Sequence, residues 1–230
     1  MSDDQSSLAQ FGGVVRLFPL PNVVLFPCAI QGLHIFEPRY RQMTDDALDD
    51  DRLITPVLLK PGWETEYHER PAVHAVACLG RIVADHRLPD GRYNLQLRGV
   101  SRVRIQEEVE NGKLYRSARV QLLADTEPLP AKADQEVRRQ LLPLLPAWCL
   151  ENIAAADALG KLLKSTMPLG GVLDIISFVL PLAMEFKQEL LEISSVGLRA
   201  GRVLDHLRTQ QPAAGGSAAD RKWPPDFSTN

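Results

Sequence analysis

Up to Pro128 the apolar and polar residues of this chain alternate mainly with a period of two; beyond it the period is mainly helical. Val14–Leu17, Val23–Phe26 and Leu33–Phe36 read as short strands, the first two separated by a turn-like Pro-Leu-Pro-Asn. Pro19, Pro21, Pro27 and Pro38 punctuate this stretch, and Leu-Phe-Pro occurs at Leu17–Pro19 and again at Leu25–Pro27. Proline brings no N–H to a sheet ladder. Pro19 and Pro21 are therefore expected in the turn after the first strand and Pro27 at the end of the second. Pro38 suits the first turn of a helix, where its missing N–H costs nothing. Tyr40, Met43, Ala47 and Leu48 then share one helical stripe, Leu53–Leu59 returns to strand character, and a polar loop follows over 60–71.

Val73–Ala84 predicts the next strand, and Asp90-Gly91 a tight hairpin, since both residues tolerate positive φ. In the partner strand Tyr93, Leu95, Leu97, Val103 and Ile105 have one parity; Asn94, Gln96, Arg98, Arg102 and Arg104 have the other. Gly99-Val100 at mid-strand marks a bulge or sharp bend. Asn111-Gly112 marks a second hairpin, whose outgoing strand puts Leu114, Ala118, Val120 and Leu122 on one side. Tight hairpins with one inserted helix predict a curled antiparallel sheet or small barrel.

The second half carries helical stripes at Val137, Leu141, Leu144, Leu145 and Trp148, with Pro143 and Pro146 set to kink or split that helix. Further stripes are Leu159, Leu162 and Leu163, then Phe186, Leu190 and Ile193, then Val196, Ala200, Val203, Leu204 and Leu207 behind a Ser195 N-cap. Val172–Leu180 is apolar nearly all round, which predicts a helix buried within a bundle and ended by Pro181. The expected organisation is a flexible tail over 1–12, a β-barrel over 13–126, a helical part over 127–209 and a disordered tail over 210–230.

Composition changes this picture little. Of 230 residues, 45% are hydrophobic and 24% charged, and the formal net charge is -3. That balance argues against nucleic-acid binding over the whole surface. No uninterrupted apolar run reaches the length of a membrane span, and the acidic start Met-Ser-Asp-Asp is unlike a signal peptide. Cys28, Cys78 and Cys149 are widely spread and form no CxxC pair, which fits a reduced, cytoplasmic protein.

Several ordered blocks resemble the amino-terminal, substrate-binding domain of the Lon ATP-dependent protease. They are LFPLPNVVLFP, LHIFEPRYRQM with DDAL, LGRIVADHRLPDGRYNLQLRGVSRVRI, YRSARV, and VLDIISFVLPLAMEFKQELLE followed by LRAGRVLDHL. Together they cover roughly Val14 to Leu207. The chain departs from the family pattern at Arg102-Val103, where Arg-Phe is usual, at Ser194-Ser195, where an acidic residue is usual, and at VACLG. The resemblance implies an α+β fold: a PUA-like antiparallel β-barrel with an inserted helix, then an α-helical bundle. It also implies a part in binding polypeptides during protein quality control, as a free-standing member without the ATPase and peptidase domains.

No GxxxxGK[ST] phosphate loop and no Ser-x-x-Lys is present, so no catalytic residue, cofactor or metal is expected. His68 and His74 could meet across a bend, but zinc would need more ligands than Cys78 adds. Arg98, Arg102 and Arg104, with Arg81 and Arg92 near, form a basic strip that would serve an RNA-binding module; Glu107, Glu108 and Glu110 follow at once and no aromatic platform accompanies it. The candidate peptide-binding residues are Trp63, Tyr67, His34 and Phe36. Trp63 and Tyr67 sit in a polar loop, where they either anchor a peptide or cover the open end of the barrel. The expected partners are polypeptides or a protein partner, with weak self-association, no membrane and no nucleic acid. An adaptor for one folded partner is the alternative. Trp223 and Phe227 would then be a short motif in the tail.

Overall fold

A computed structural model describes residue 8 and residues 11–65, 70–145 and 153–210. Six strands, β1 (Val14–Leu20), β2 (Ile30–Ile35), β3 (Leu53–Leu58), β4 (Val76–Arg87), β5 (Tyr93–Val109) and β6 (Ser117–Leu123), form one sheet of order β2-β5-β4-β3-β1-β6, with β5 also paired to β6. That extra pairing closes β1, β3, β4, β5 and β6 into a ring. β5 is 17 residues long: its first half carries β2 and its second half β6, while β4 runs beside both. One pair departs from the expected antiparallel sheet. β1 and β3 run parallel, from Leu17↔Thr55 to Leu20↔Leu58. A parallel pair needs a long crossover, and β2 with helix α1 (Pro38–Leu48) supplies it.

Val15, Leu17, Leu53, Val57, Ala77, Leu79, Val103, Ala118 and Val120, from the five ring strands and no helix, form the interior core, against which Leu8 and Phe11 also pack. A second, larger core lies between the sheet and the helices. β5 contributes to both, because its bulge changes its parity. Leu79 pairs with Ser101 but Gly80 pairs with Gly99, so Val100 is the extra residue. Leu95 and Leu97 therefore enter the helix-side core, while Val103 enters the ring.

Two expectations fail at this bulge. Val23–Phe26 is not a strand: Leu25 and Phe26 are buried, but the segment crosses the bulge instead of joining the sheet. Cys28 N–H donates to Gly99 O at 2.9 Å and Gly99 N–H to Ala29 O at 2.9 Å. A Cβ on Gly99 would stand 2.0 Å from Phe26 O, so only glycine permits this approach. Arg102 is not on a solvent face either. The parity change turns it toward the helices, and it is 3% exposed. Pro19, expected in a turn, lies within β1 opposite Val57, beside the Phe18↔Pro56 pair, where β1 meets β3 as its parallel neighbour. In the first hairpin only Gly91 takes positive φ.

The helices are α1, α2 (Ala131–Leu144), α3 (Ile153–Lys164), α4 (Leu169–Val179), α5 (Met184–Glu192) and α6 (Val196–Gln210). α4 is buried at Leu169, Gly170, Val172, Leu173, Asp174, Ile176 and Ser177, in keeping with its apolar sequence, and ends just before Pro181. Ser195 Oγ accepts from Leu198 N–H at 3.3 Å, capping α6. Pro143 lies inside the last turn of α2, and Ile193 falls just past α5 instead of on it. Pro146, Trp148, Cys149, Trp223 and Phe227 lie outside the described residues. Among the described residues no helix is long and apolar enough to cross a membrane.

Candidate functional site

β2 occupies one end of the strand order, so among the described residues its outer edge carries no further strand. Ala29 and Gly99 form a hydrogen-bonding pair at its start, so the ladder to β5 continues through Gln31, Leu33 and Ile35. The N–H and C=O groups of Ile30, Gly32 and His34 point to the open side by the same alternation. One of them is already covered: Gln31 Nε2 donates to Gly32 O at 2.6 Å. Ile30, 53% exposed, is a large apolar side chain left on the surface at the start of this edge.

The strand runs directly into a shallow notch of about 10 Å³. Phe18, Leu20, Pro21, Ile35, Phe36 and Tyr40 line it, with His34 and Glu37 at its margin. The His34 and Phe36 rings stack with centroids 6.2 Å apart, and Phe18 packs on Tyr40 at 4.5 Å. His34 is oriented from behind: Nδ1 meets Asn94 Oδ1 at 2.7 Å and Nε2 meets Arg92 Nη1 at 3.2 Å. Since arginine can only donate, Nε2 accepts and the proton sits on Nδ1. Pro38 at the start of α1 fixes the turn that presents Phe36 and Tyr40.

Tyr40 is also a wall of a larger cleft of about 400 Å³ beside the notch. Among the described residues, Arg39, Arg70, Lys113 and Arg116 bring four cations to its lining, against the carboxylate of Glu110, with Pro19, Leu114 and Tyr115 as apolar surface. The carboxylates that hold these cations stand behind them. Arg116 is clamped by Glu108 and donates to Pro71 O at 2.8 Å; Arg70 reaches Glu108 at 3.7 Å; Lys113 reaches Asp46 at 3.0 Å. The hydrogen bond from Arg116, opposed by burial and aided by the charges of Arg116 and Arg70, holds Glu108 below the usual carboxylate range. Burial disfavours charge on Asp46, but the Tyr115 hydroxyl, donating at 2.7 Å, and Lys113 outweigh it and keep its pKa low. Burial and the bond to Asp46 push the Tyr115 hydroxyl up to about 12.

Of the four residues predicted from sequence, His34 and Phe36 come together at the notch. Trp63 opens a short 3-10 turn, Trp63–Thr65, and lines neither the notch nor the cleft. Tyr67 lies outside the described residues. The cationic cleft was not foreseen, because its residues come from four separate stretches of chain. Its nearest sequence signal was the Asn111-Gly112 turn, which presents Lys113, Leu114 and Tyr115.

Other candidate chemistry is dispersed. His68 lies outside the described residues; His74 faces Glu192 at 3.4 Å. Among the described residues no cluster of three or more His, Cys, Asp or Glu is arranged to hold a metal. Burial pushes the Cys78 thiol up, away from reactivity. The arginine strip is split: Arg102 is buried against Asp174, and Arg92 pairs with Asp90 at 2.7 Å.

Comparison with known proteins places the chain in a family. The model of the ATP-dependent protease La (LON) substrate-binding domain matches residues 14–209. Lon protease 2 of Sorangium cellulosum is 26% identical over 216 residues, 86% of this chain and 26% of that protein. The Lon protease of Xanthomonas oryzae pv. oryzae is 26% identical over 193 residues, 80% of this chain and 21% of that protein. The chain thus spans about a quarter of the length of the curated relatives it matches. Among solved structures, the Lon N-terminal domain protein from Xanthomonas campestris aligns with a TM-score of 0.58 at 22% identity, over 84% of this chain and 97% of that one. The N-terminal domain of Mycobacterium avium complex Lon protease aligns at 0.66 and 16% identity, over 86% of this chain and 98% of that one. Over residues 14–209 this chain belongs to the LON substrate-binding domain family.

Proposed function

We propose that this protein binds unfolded or partly folded polypeptides, without catalysis of its own, in cytoplasmic protein quality control. The observation that carries this reading is the open edge of β2 running into the Phe36–Tyr40 notch. An extended chain added to β2 would gain main-chain hydrogen bonds from Ile30, the Gly32 N–H and His34, which do not depend on sequence, while one of its apolar side chains packs on the exposed face of Phe36 at the mouth of the notch. Tolerance of sequence with a preference for apolar residues suits a binder of unfolded chains. The family's description as a substrate-binding domain, and the name Lon protease carried by the relatives, support the same reading.

The test is a Gly32→Pro variant, which removes one outward N–H and leaves the ladder to β5 intact, together with Phe36→Ser. Fluorescence anisotropy with extended apolar peptides should show affinity reduced by roughly tenfold in each variant, the loss of about one main-chain bond or one buried aromatic contact. Thermal unfolding should remain near wild type, since both positions lie at the surface. Unchanged peptide affinity in both variants would remove β2 and the notch as the binding surface.

A further inference from the structure

We infer that the cationic cleft beside the notch recognises acidic side chains of the bound polypeptide, so that the preferred ligand is an apolar segment flanked by Asp or Glu. This rests on the polypeptide-binding reading above and names the class of sequence it selects.

Three observations lead to it. The notch and the cleft share Tyr40 as a common wall, so a chain leaving the notch on that side enters the cleft. Among the described residues the cleft surface presents Arg39, Arg70, Lys113 and Arg116 against Glu110. Arg70 is loosely committed, 60% exposed and 3.7 Å from Glu108, while Lys113, 42% exposed, pairs with Asp46 at 3.0 Å and keeps part of its ammonium toward solvent. Arg116, by contrast, is fixed by Glu108 and Pro71 and forms a rigid base to the cleft. A pre-oriented guanidinium with Arg70 and Lys113 on the same cleft lining suits a carboxylate, which can accept from the three cations together. Leu114, 66% exposed at the rim, offers apolar contact to the methylene groups of such a side chain.

The formal net charge of the chain is -3, so long-range electrostatics disfavour acidic ligands, and any preference for them must arise locally. The experiment uses three labelled peptides that share one apolar core, flanked by Asp and Glu, by Asn and Gln, or by Lys. The acidic peptide should bind roughly fivefold to tenfold more tightly than its amide isostere at low salt, the scale of two partly exposed ion pairs, and the gap should narrow as salt rises. In an Arg70→Gln/Lys113→Gln variant the gap should close to within about twofold, while the affinity for the amide peptide is retained. Equal affinity for the acidic and amide peptides, or a gap that survives in the double variant, would overturn the inference and leave polypeptide binding standing. No binding of any of the three would overturn both.

Discussion

Arg102 of β5 and Asp174 of α4, 72 residues apart in sequence, form a two-pronged ion pair at the junction between the sheet and the helices, and both are almost fully buried. Arg102 also donates to Leu191 O at 2.9 Å and reaches Asp125 at 3.2 Å. Arg199 of α6 completes the cluster, at 2.9 Å from Asp125 and 3.4 Å from Asp174. Burial disfavours the Arg102 cation, but the charge and hydrogen bonds of Asp174, with Asp125, outweigh it and raise its pKa above the ordinary value. Removing one partner leaves a buried charge that Arg199 or Asp125 compensates only in part, so Asp174→Asn or Arg102→Met should each cost on the order of 3 kcal/mol in urea unfolding. The Arg102→Met/Asp174→Leu double variant should cost less than the sum of the single changes Arg102→Met and Asp174→Leu, by on the order of 1–3 kcal/mol. Strict additivity would show that the pair does not act as a unit.

Gly99 and Gly201 make opposite predictions for the same change. At Gly99 a Cβ would meet Phe26 O at 2.0 Å, and backbone cannot give way as a side chain can; Gly99→Ala should destabilise by about 2–4 kcal/mol. Gly201 lies inside α6 with no neighbouring atom within 4 Å of a built Cβ, so Gly201→Ala should stabilise by about 0.5–1 kcal/mol through helix propensity. Chemical denaturation of the two variants side by side checks both signs.

Lys187 should make the protein more stable toward alkaline pH. Its ammonium donates to Phe178 O at 2.7 Å, and burial pushes its pKa down to about 8 from an ordinary 10.5. Between those values the unfolded chain holds a proton that the folded one has released, so unfolding free energy rises with pH across that window. Lys187→Met should remove this component, making the slope of stability against pH from 8 to 10.5 shallower than in wild type. Equal slopes would mean that Lys187 keeps its proton in the fold.

Much of the fold was legible because alternation, turn residues and helical stripes are local signals. The bulge at Gly99, the hairpin at Gly91, the buried α4 and the Ser195 cap all follow from neighbours in sequence. What escaped depends on residues distant in the chain. The parity change at Val100 sends Arg102 inward, and its purpose appears only with Asp174 in place. Val23–Phe26 has a strand's composition, yet its end, Phe26, crosses Gly99 with its carbonyl instead of pairing in the sheet. His34 and Phe36, candidates from the sequence and two positions apart in the chain, meet at the notch at the end of β2. Arg39, Arg70, Lys113 and Arg116 each read as ordinary surface charge until folding gathers them around one cleft.

The wall of that cleft should respond to acid through Tyr115 and Asp46. The Tyr115 hydroxyl donates to Asp46 at 2.7 Å, one of the interactions that keep the Asp46 pKa below its ordinary 3.8. A carboxylate lowered in this way contributes stability above its unfolded pKa and loses that contribution as pH falls through its folded value. Tyr115→Phe removes the hydrogen bond and leaves the ring, so it should destabilise by about 1–2 kcal/mol at neutral pH, the scale of a partly buried bond to a charged acceptor. The difference between wild type and variant should shrink as pH drops below 3.8, because protonation of Asp46 weakens the same bond in wild type. Urea unfolding of both proteins at pH 7 and in strong acid measures this. A difference that stays constant with pH would mean that Tyr115 stabilises the wall by packing and not through the charge of Asp46.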